Sequence, residues 1–526
     1  MTDHAPPPAG LASRVRKFEI YEVEFFGVEP TGSHVEVDLE VVFEGPGTRT
    51  RIPGFYAGNG RYLVRFSPAT EGRWTYRTSS SFLEETVGEF RCLPARPDEH
   101  GPVRAEGLHF QHDDGTVFAP FGTTAYAWTH QPPELIAQTL RTLATAPFNK
   151  LRMCVFPKSM AYNSDEPAEQ PFERDADGGW NVHRPHLPFW ENFENRIRDL
   201  ARLGIQADVI LFHPHDRWGF ATLSRESCLT YLDYCLRRLS AHANVWWSLA
   251  NEYDMMFDRT PQDWDAFGEF ISANDPYGHP LSVHNWLENF DFTKTWVTHC
   301  SIQSSAVHAT AQWRTTYSKP VINDECRYEG DIEEPWGQLS PFELVHRFWA
   351  TILQGGYCTH GETYYRDDEI LWWAKGGELR GGSAPRIGFL RALVEELGGM
   401  LDPAPDRFAI NPNDAVAAPP ANQADNLHLR ALARLDAVGW ERFREGTAKY
   451  QAYQSDRAAL LTYFGRSCQS TAHLDLSEDE WTLEILDVWN MTRTRLPGTS
   501  SGRTRLALPG REGIAVLARR ARPAAQ

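Results

Sequence analysis

The amino-acid sequence predicts an α/β protein, a (β/α)8 TIM barrel flanked by two small β-sandwich domains. Eight short apolar runs, most of them separated by amphipathic helical patterns, fill the middle of the chain, as in a (β/α)8 barrel. Short runs with regular turn signals lie on both sides of this region, as in small β-sandwiches. The chain has 526 residues, which is too long for a single core and suits several domains.

The region before the barrel, residues 13–97, is predicted to be an Ig-like β-sandwich. "HVEVDLEVVF" alternates polar and apolar residues, and "GRYLVRFSP" and "GRWTYRTSS" follow at short intervals. Gly and Pro separate these runs, as expected for short strands joined by tight turns. The segment "PARPDEHGP" then has the composition of a linker.

The barrel is predicted over residues 98–401. Ile136, Leu140 and Leu143 follow the i, i+4, i+7 spacing of an amphipathic helix, and "SPFE" is a capping box with Pro at the first helical position. The helix after the fifth strand has the weakest pattern. A doubly wound open sheet is the main alternative, although no Gly-rich phosphate loop follows the first strand. The predicted strands are "VFAPFGTTAY", "FNKLRMCVF", "IQADVILFHPH", "NVWWSLANE", "PLSVHNW", "WVTHCSIQ", "KPVINDECRY" and "YCTHGETYY".

A long polar segment, residues 157–188, follows the second predicted strand. It contains Pro and Gly and carries Tyr162 and Trp180. Loops of this length are commonly functional covers or disordered segments. We expect it to close one side of a pocket, which favours an exo-acting enzyme.

The region beyond the barrel, residues 402–526, is predicted to be a second β-sandwich. The runs "LHLRALARL", "RAALLTYFG", "WTLEILDVWN" and "GIAVLARR" have the length of short strands. The sequence does not distinguish whether the two sandwiches shape the barrel mouth or mediate assembly, and a homo-oligomer stays open.

Composition excludes several classes of partner. The formal net charge is −18 and no Lys/Arg-rich run occurs, so we expect no nucleic-acid partner. No apolar run reaches the roughly 20 residues of a membrane span, and "MTDHAPPPAG" is unlike a signal peptide. The eight cysteines are scattered, which favours a reducing, cytoplasmic setting. Aromatic residues reach 12%, which suits either sugar stacking or a large core.

Polar residues follow every predicted barrel strand. In (β/α)8 barrels the active site lies at the C-terminal ends of the strands, so these residues are candidates for one shared site. In strand order they are Tyr126 and Trp128; Arg152; His213, His215 and Asp216; Asn251 and Glu252; His284, Asn285 and Trp286; His299 and Gln303; Asp324, Glu325 and Tyr328; and His360, Glu362 and Tyr364.

Two glutamates in this set predict glycoside hydrolysis. Glu252 shares a strand face with Ala250 and Ser248, whose small side chains leave room for a carboxylate to reach the barrel axis. Glu325 lies at the end of strand seven, where the adjacent Asp324 is a competitor. Glycosidases use one carboxyl group to protonate the leaving oxygen and another to attack the anomeric carbon or to activate water. A separation of roughly 5–5.5 Å between the carboxyl groups would mean retention of configuration.

The motifs resemble those of a known enzyme group. "WSLANE" and "KPVINDECRYEG" are similar to the acid/base and nucleophile motifs of clan A glycoside hydrolases, whose catalytic residues follow strands four and seven. "GFYAGNGRYLVRFSPATEGRWTYRT", "FAPFGTTAYAW" and "LEILDVWNMTRTRLPG" extend the resemblance over nearly the whole chain, to bacterial apiosidase-like glycoside hydrolases with N- and C-terminal β-sandwich domains.

The resemblance implies roles for individual residues. Glu252 would be the general acid/base, Glu325 the nucleophile and Asn251 a ligand of the sugar 2-hydroxyl, with Arg152 supporting the nucleophile and His215 contacting the sugar. Clan members often end strand eight with a sugar-stacking tryptophan, whereas this chain has "HGETYY"; Trp372 and Trp373 follow shortly after. The further predicted substrate-binding residues are Trp128, Trp286, Tyr328 and Glu362.

The expected enzyme is a retaining, exo-acting glycosidase of small glycosides or oligosaccharides that needs no metal or cofactor. Kinship suggests a pentofuranoside, either an apioside or an arabinofuranoside, and a hexopyranoside stays open. Two alternatives remain. A metal-dependent barrel hydrolase would use the histidine cluster of His213, His215, His284 and His299, and a catalytically silent barrel would only bind carbohydrate.

Overall fold

The N-terminal domain is a two-sheet sandwich, as predicted. The structure, a computed structural model, describes residues 13–404, 427–447 and 450–521. A five-stranded sheet of order β1-β8-β7-β3-β4 faces a three-stranded sheet of order β2-β6-β5, and Phe43, Phe66 and Trp74 pack between them. The strands are β1 (Ser13–Arg16), β2 (Tyr21–Phe26), β3 (Leu39–Gly45), β4 (Thr48–Pro53), β5 (Phe55–Gly58), β6 (Arg61–Phe66), β7 (Gly72–Ser80) and β8 (Val87–Leu93).

A small antiparallel sheet precedes the barrel. It consists of β9 (Val103–Glu106), β10 (His109–His112) and β11 (Val117–Phe118). The ring of Phe110 lies 4.9 Å from that of Trp246, which is at the start of a barrel strand. This sheet therefore covers the end of the barrel opposite to the predicted site.

The barrel contains all eight predicted strands, arranged in parallel in the order β18-β17-β16-β13-β12-β22-β20-β19. An isolated parallel bridge between His284 and Ser301 joins the two outer strands, so the sheet is nearly closed. Two short pairs of this region, β14–β15 and β21–β23, lie outside the barrel sheet. The strands are β12 (Phe121–Thr124), β13 (Lys150–Cys154), β14 (Phe172–Arg174), β15 (Trp180–Pro185), β16 (Gln206–Phe212), β17 (Val245–Ala250), β18 (Leu281–Ser282), β19 (Cys300–Gln303), β20 (Val321–Glu325), β21 (Glu329–Gly330), β22 (Tyr357–His360) and β23 (Glu362–Thr363).

Helices follow the barrel strands with one exception. Residues 283–299, after β18, contain no helix, so the weakest of the predicted helices is wrong. Side-chain carboxylates hold the backbone in turns there, for example Asp291, whose Oδ1 accepts the N–H of Thr293 at 3.1 Å. The helices are α1 (Pro133–Leu143), α2 (Leu187–Arg202), α3 (Arg225–Leu239), α4 (Pro261–Asn274), α5 (Thr310–Tyr317), α6 (Pro341–Leu353), α7 (Trp372–Lys375) and α8 (Ser383–Glu396).

The predicted cap of α6 is present in part. The Ser340 hydroxyl accepts the backbone N–H of Glu343 at 3.2 Å, which satisfies one of the free N–H groups at the start of the helix. The Glu343 side chain instead pairs with Arg347, one turn further along. No helix among the described residues is long and apolar enough to cross a membrane.

The long segment 157–188 covers the pocket only at its beginning. Lys158 and Met160 line a cavity at the barrel mouth. The hairpin β14–β15 instead packs on the outer side, where the Trp180 ring stacks on that of Phe220 at 4.7 Å. Most of this segment therefore supports the barrel wall.

The C-terminal region contains the predicted β-rich domain. A six-stranded sheet has the order β24-β25-β26-β31-β28-β29, and β27 pairs with β30. "LHLRALARL", predicted as a strand, instead contains helix α9, because Leu, Ala and Arg favour helices. The elements are β24 (Leu401–Pro403), α9 (Leu427–Leu432), α10 (Ala437–Thr447), β25 (Tyr450–Gln454), β26 (Ala459–Tyr463), β27 (Thr471–Asp475), β28 (Trp481–Asp487), β29 (Thr492–Arg495), β30 (Arg503–Ala507) and β31 (Ile514–Arg520).

Both sheet domains pack on the outside of the barrel. Arg65 of the N-terminal domain is buried and pairs with Glu194 of α2 at 2.9 Å. Tyr463 of the C-terminal domain packs its ring 5.1 Å from that of Trp349 in α6. These contacts join the domains to the helical layer and leave the barrel mouth to the barrel's own loops.

Candidate active site

A cavity of about 500 Å³ opens at the C-terminal ends of the barrel strands. All of its lining residues come from the loops and strand ends between Tyr126 and Trp373, so neither sheet domain contributes to it. Both predicted catalytic glutamates line it. The lining residues are Tyr126, Lys158, Met160, His215, Glu252, Met255, Trp286, Leu287, Gln303, Ser304, Ser305, Glu325, Arg327, Tyr328, Trp336 and Trp373.

Glu252 enters the cavity from a left-handed turn. Glu252 has φ 52° and ψ 52°, and it follows the end of β17, whose residues are all buried. Oε2 of Glu252 lies 2.6 Å from Nε2 of His215, and it accepts the Nδ2–H of Asn251 at 3.1 Å. A left-handed conformation costs a non-glycine residue about 1 kcal/mol and is frequent at functional sites.

Glu325 is held by cationic and hydrogen-bonding groups. Nη1 of Arg152 donates to its Oε1 at 3.0 Å, the Tyr126 hydroxyl donates to the same oxygen, and Nε2 of His284 lies 3.1 Å away. Burial alone would raise the pKa of Glu325, but the hydrogen bond and charge of His284, with the charges of Arg152 and Lys158, lower it well below its usual range. Glu325 is therefore an anion at neutral pH.

Asn251 connects the two glutamates. Its Oδ1 accepts Nη2–H of Arg152 at 2.8 Å, and its Nδ2–H points to Glu252. A continuous hydrogen-bonded path therefore runs from Glu252 through Asn251 and Arg152 to Glu325. This path fixes the relative position of two acidic side chains that are distant in sequence.

A buried ion network supports Arg152 and Glu325 from inside the barrel. Lys150 pairs with Asp208 and, at 3.0 Å, with Asp324. The hydroxyls of Ser301 and Thr359 donate to Asp324 at 2.6 and 2.7 Å.

Asp324 therefore does not compete with Glu325 for the cavity. Burial would raise its pKa, but the charges of Lys150 and Arg152 outweigh burial and lower it. The pairing of β19 with β20 shifts register between Ile302 and Gln303, opposite this point of the strand. This bulge allows the Asp324 side chain to reach the interior and the next residue to reach the cavity.

An aromatic wall, defined here as Tyr126, Tyr328, Trp336 and Trp373, lines the cavity beside Glu325. The rings of Trp336 and Trp373 lie 4.8 Å apart, and those of Tyr126 and Trp373 5.9 Å apart. Nζ of Lys158 lies 3.6 Å from the centre of the Tyr126 ring, in cation–π contact. Flat rings of this kind match the faces of sugars.

Comparison with known proteins assigns the family. The apiosidase-like catalytic domain matches residues 104–398, more than half of the chain. The chain belongs to the apiosidase-like family of glycoside hydrolases. Two domains of unknown function flank this match, DUF5060 at residues 14–81 and DUF5605 at residues 448–519. A comparison with curated proteins gave no match.

Solved structures agree with this assignment. A "putative glycoside hydrolase" from Bacteroides vulgatus ATCC 8482 is 33% identical, with a TM-score of 0.85 over 97% of this chain and 100% of its own. A glycoside hydrolase family 5 protein from the same organism has a TM-score of 0.56 at 16% identity, covering 81% of this chain and 94% of its own, and shows the barrel fold alone. The resemblance of the apiosidase-like chain to known glycoside hydrolases is thus confirmed.

The apiosidase-like barrel brings seven of the nine predicted site residues to the cavity or directly beneath it. His215, Trp286 and Tyr328 line it with the two glutamates, while Asn251 and Arg152 are buried under it and contact both carboxylates. The other two predicted residues, Trp128 and Glu362, lie outside the cavity.

Trp128 and Glu362 lie elsewhere in the apiosidase-like barrel. Trp128 is fully buried in the hydrophobic core. Glu362 turns toward the start of α8, where it accepts the backbone N–H groups of Arg380 at 2.6 Å and Gly381 at 2.9 Å. Trp373 lines the cavity after strand eight, close to where many clan members place a tryptophan, whereas Trp372 is buried and donates to Thr123.

Burial of Glu362 is expected to make the protein less stable at pH 8 than at pH 5. Burial raises the pKa of Glu362 to about 7 from an ordinary value of 4.5. The contribution of the protonated carboxyl to the free energy of unfolding is complete at a pH below the pKa that Glu362 has in the unfolded chain. This contribution is lost as the pH rises through the pKa of Glu362 in the folded protein, and the total loss is about 3 kcal/mol. Urea unfolding at both pH values should show this loss in the wild type and not in Glu362→Gln. Equal pH dependence in the two proteins would contradict it.

The four histidines of the metal alternative do not converge. Nε2 of His213 lies 3.1 Å from the carbonyl of Phe156, and His299 packs against Trp246 at the opposite end of the barrel. Within the described ranges, a single group of three or more side chains has ligand atoms close enough to share an ion, and it contains none of these histidines. That group is Glu329, His360 and Glu362.

Proposed function

We propose that the chain is a retaining glycosidase in which Glu325 is the nucleophile and Glu252 the general acid/base. The observation that carries the proposal is the hydrogen-bonded path from Glu252 to Glu325, which places two carboxyl groups with different partners on one cavity. Glu325 has cationic partners that keep it ionised, as a nucleophile requires. Glu252 is hydrogen-bonded to Asn251 and lies 2.6 Å from His215, a different set of partners from the cations around Glu325, as suits a residue that gives and takes a proton.

The reaction has two balanced steps. In the first, a carboxylate oxygen of Glu325 forms a bond to the anomeric carbon as the bond to the leaving oxygen breaks, and Glu252 gives its proton to that oxygen. In the second, Glu252 takes a proton from water, the water oxygen attacks the same carbon, and Glu325 departs as a carboxylate. Each residue ends the cycle in the state in which it began.

The remaining contacts position these groups. Arg152 and the Tyr126 hydroxyl orient Glu325, and burial holds the pKa of Tyr126 well above its usual value, so the hydroxyl keeps its proton to donate. Asn251, buried directly beneath the cavity, would hydrogen-bond the sugar 2-hydroxyl, a contact that strengthens in the transition state. The aromatic wall would stack against the sugar ring.

The substrate we propose is a small pentofuranoside, an apioside or arabinofuranoside. The family description supports this choice. Exo action is supported by the segment after β13, whose Lys158 and Met160 form part of the cavity wall. A hexopyranoside is the competing substrate, and the experiment below separates the two.

A panel of nitrophenyl glycosides tests the proposal. We expect cleavage of one furanoside, with the first-formed product carrying the same anomeric configuration as the substrate by ¹H NMR. Inversion would make Glu325 a base for water instead of a nucleophile. Cleavage that survives in the double variant Glu252→Ala/Glu325→Ala would remove both assignments, and binding without any cleavage would support the silent-barrel alternative.

Loss of the Arg152 charge is expected to shift the pH profile. In Arg152→Met the pKa of Glu325 should rise toward its ordinary value, because a cation that favours its ionised form is gone. The acid limb of the kcat/KM profile should therefore move to higher pH. At neutral pH we also expect kcat/KM to fall on the order of 10²-fold, because the charge that supports Glu325 is missing. Arg152→Lys keeps a charge and should shift the limb less. An unmoved limb in a folded Arg152→Met protein would contradict this role.

A further inference from the structure

We infer that the loops after β17 and β18 form a leaving-group subsite, an apolar ledge of Met255, Trp286 and Leu287 that takes an uncharged aglycone with a flat apolar face. An aryl ring and the apolar face of a pyranose both have this chemistry. The inference rests on the proposed function, because it takes Glu252 as the residue that protonates the leaving oxygen. Beyond the proposed function, the inference states on which side of the cavity the leaving group lies and which leaving groups that side binds.

The ledge exposes apolar surface beside an acidic side chain. Trp286 is 41% and Leu287 70% exposed, although both line the cavity with Glu252. Large apolar side chains grouped in the open are uncommon on soluble proteins and mark binding surfaces. The exposed face of the ledge is therefore suited to cover the apolar part of a substrate.

The ledge is rigidly built. Asp254 accepts three successive backbone N–H groups, from Trp286 at 2.6 Å, Leu287 at 2.7 Å and Glu288 at 2.9 Å. Asp254 lies two residues after Glu252, so the ledge is tied to the segment that carries the proposed acid. A preorganised surface loses little conformational entropy when a ligand binds.

The order of the barrel strands places the ledge on the acid side. β17 and β18 are neighbours in the sheet, and their loops carry Glu252 and the ledge. The aromatic wall comes from the loops after β20, β22 and β12, which are neighbours on the other side. A leaving group departs toward the general acid while the nucleophile holds the sugar, so the wall faces the sugar and the ledge faces the aglycone.

The chemistry of the ledge selects an uncharged aglycone. Its three side chains are apolar, and the carboxylate of Asp254 is already engaged by three N–H groups. The cationic side chains that line the cavity, Lys158 and Arg327, come from the loops after β13 and β20. None of the three ledge side chains can pair with a charged group, so covering such a group with the ledge would cost its hydration without a compensating ion pair.

Two substrates with the same sugar test the inference. An aryl glycoside has a ring to place on the ledge, whereas the glycosyl fluoride has a single atom as its leaving group. In Trp286→Ala we expect kcat/KM to fall about 10–100-fold for the aryl glycoside and by less than about 3-fold for the fluoride. Trp286→Phe should recover most of the loss, because it restores a flat ring.

Phe257→Ala is the matched control. Phe257 is 86% exposed and does not line the cavity, so its loss should affect neither substrate. Equal losses on both substrates in Trp286→Ala would place Trp286 against the sugar and overturn the inference, as would no loss on either. If the chain does not cleave glycosides, the result is different, because the wild type then cleaves neither the fluoride nor the aryl glycoside.

Discussion

Replacing Glu325 by alanine is expected to lower kcat on the order of 10⁵-fold, because the covalent intermediate cannot form without its carboxylate. Substrate binding should persist, since the aromatic wall and Asn251 stay in place. Initial rates on the glycoside cleaved by the wild type, with circular dichroism to show a folded protein, measure the effect. Residual activity within 10-fold of the wild type would contradict the assignment.

Azide gives the Glu325 prediction a second readout. In Glu325→Ala a small anion can enter the space left by the carboxylate and attack the anomeric carbon directly. The product should be a glycosyl azide of inverted configuration, since only one displacement occurs. Glu288→Gln is the matched control, because it removes an exposed carboxylate close to the barrel mouth that does not line the cavity.

Replacing Glu252 by alanine is expected to lower the rate by an amount that depends on the leaving group. A proton donor matters most when the leaving alcohol is a strong base, so alkyl glycosides should lose about 10³–10⁴-fold. A dinitrophenyl glycoside leaves without a proton, and its first step should be nearly unchanged. A burst of dinitrophenol followed by slow turnover would show that the second step is impaired.

Azide also separates the two glutamates. In Glu252→Ala it should attack the glycosyl–enzyme intermediate and give a glycosyl azide with the substrate's configuration, opposite to the product of Glu325→Ala. Equal losses for every leaving group would mean that Glu252 acts by positioning rather than by proton transfer. The same Glu288→Gln control applies to both series.

The sequence was sufficient to predict the barrel and its two acidic strand ends. Buried parallel strands form continuous apolar runs, as in "NVWWSLANE", and such runs stand out from the helices between them. The polar residue that ends such a run lies at the barrel mouth whatever its partners are. Glu252 and Glu325 could therefore be placed on one cavity from strand order alone.

The parts of the site that the sequence missed depend on contacts outside the regular strands. Trp336 reaches the cavity from a short 3₁₀ turn, Pro335–Gly337, which has no periodic pattern to reveal it. Lys158 is in cation–π contact with the ring of Tyr126, a residue that is distant in sequence.

Side-chain direction explains the two predicted residues that lie elsewhere. Glu362 belongs to β23, which pairs with β21 after the barrel strand has ended, and this pairing turns the carboxylate toward α8. Trp128 lies in a 3₁₀ turn and is directed into the core. Strand order predicts which residues reach the mouth, but the local backbone decides where they point.

The left-handed backbone at Glu252 sets a limit on improving this enzyme by selection. Glycine adopts that conformation without the steric penalty of a side chain, so Glu252→Gly would relieve strain of about 1 kcal/mol. A laboratory search for heat resistance alone would therefore not retain the proposed proton donor, because this backbone accepts glycine without steric strain. Turnover has to be screened together with thermal tolerance if variants of this chain are to keep their chemistry.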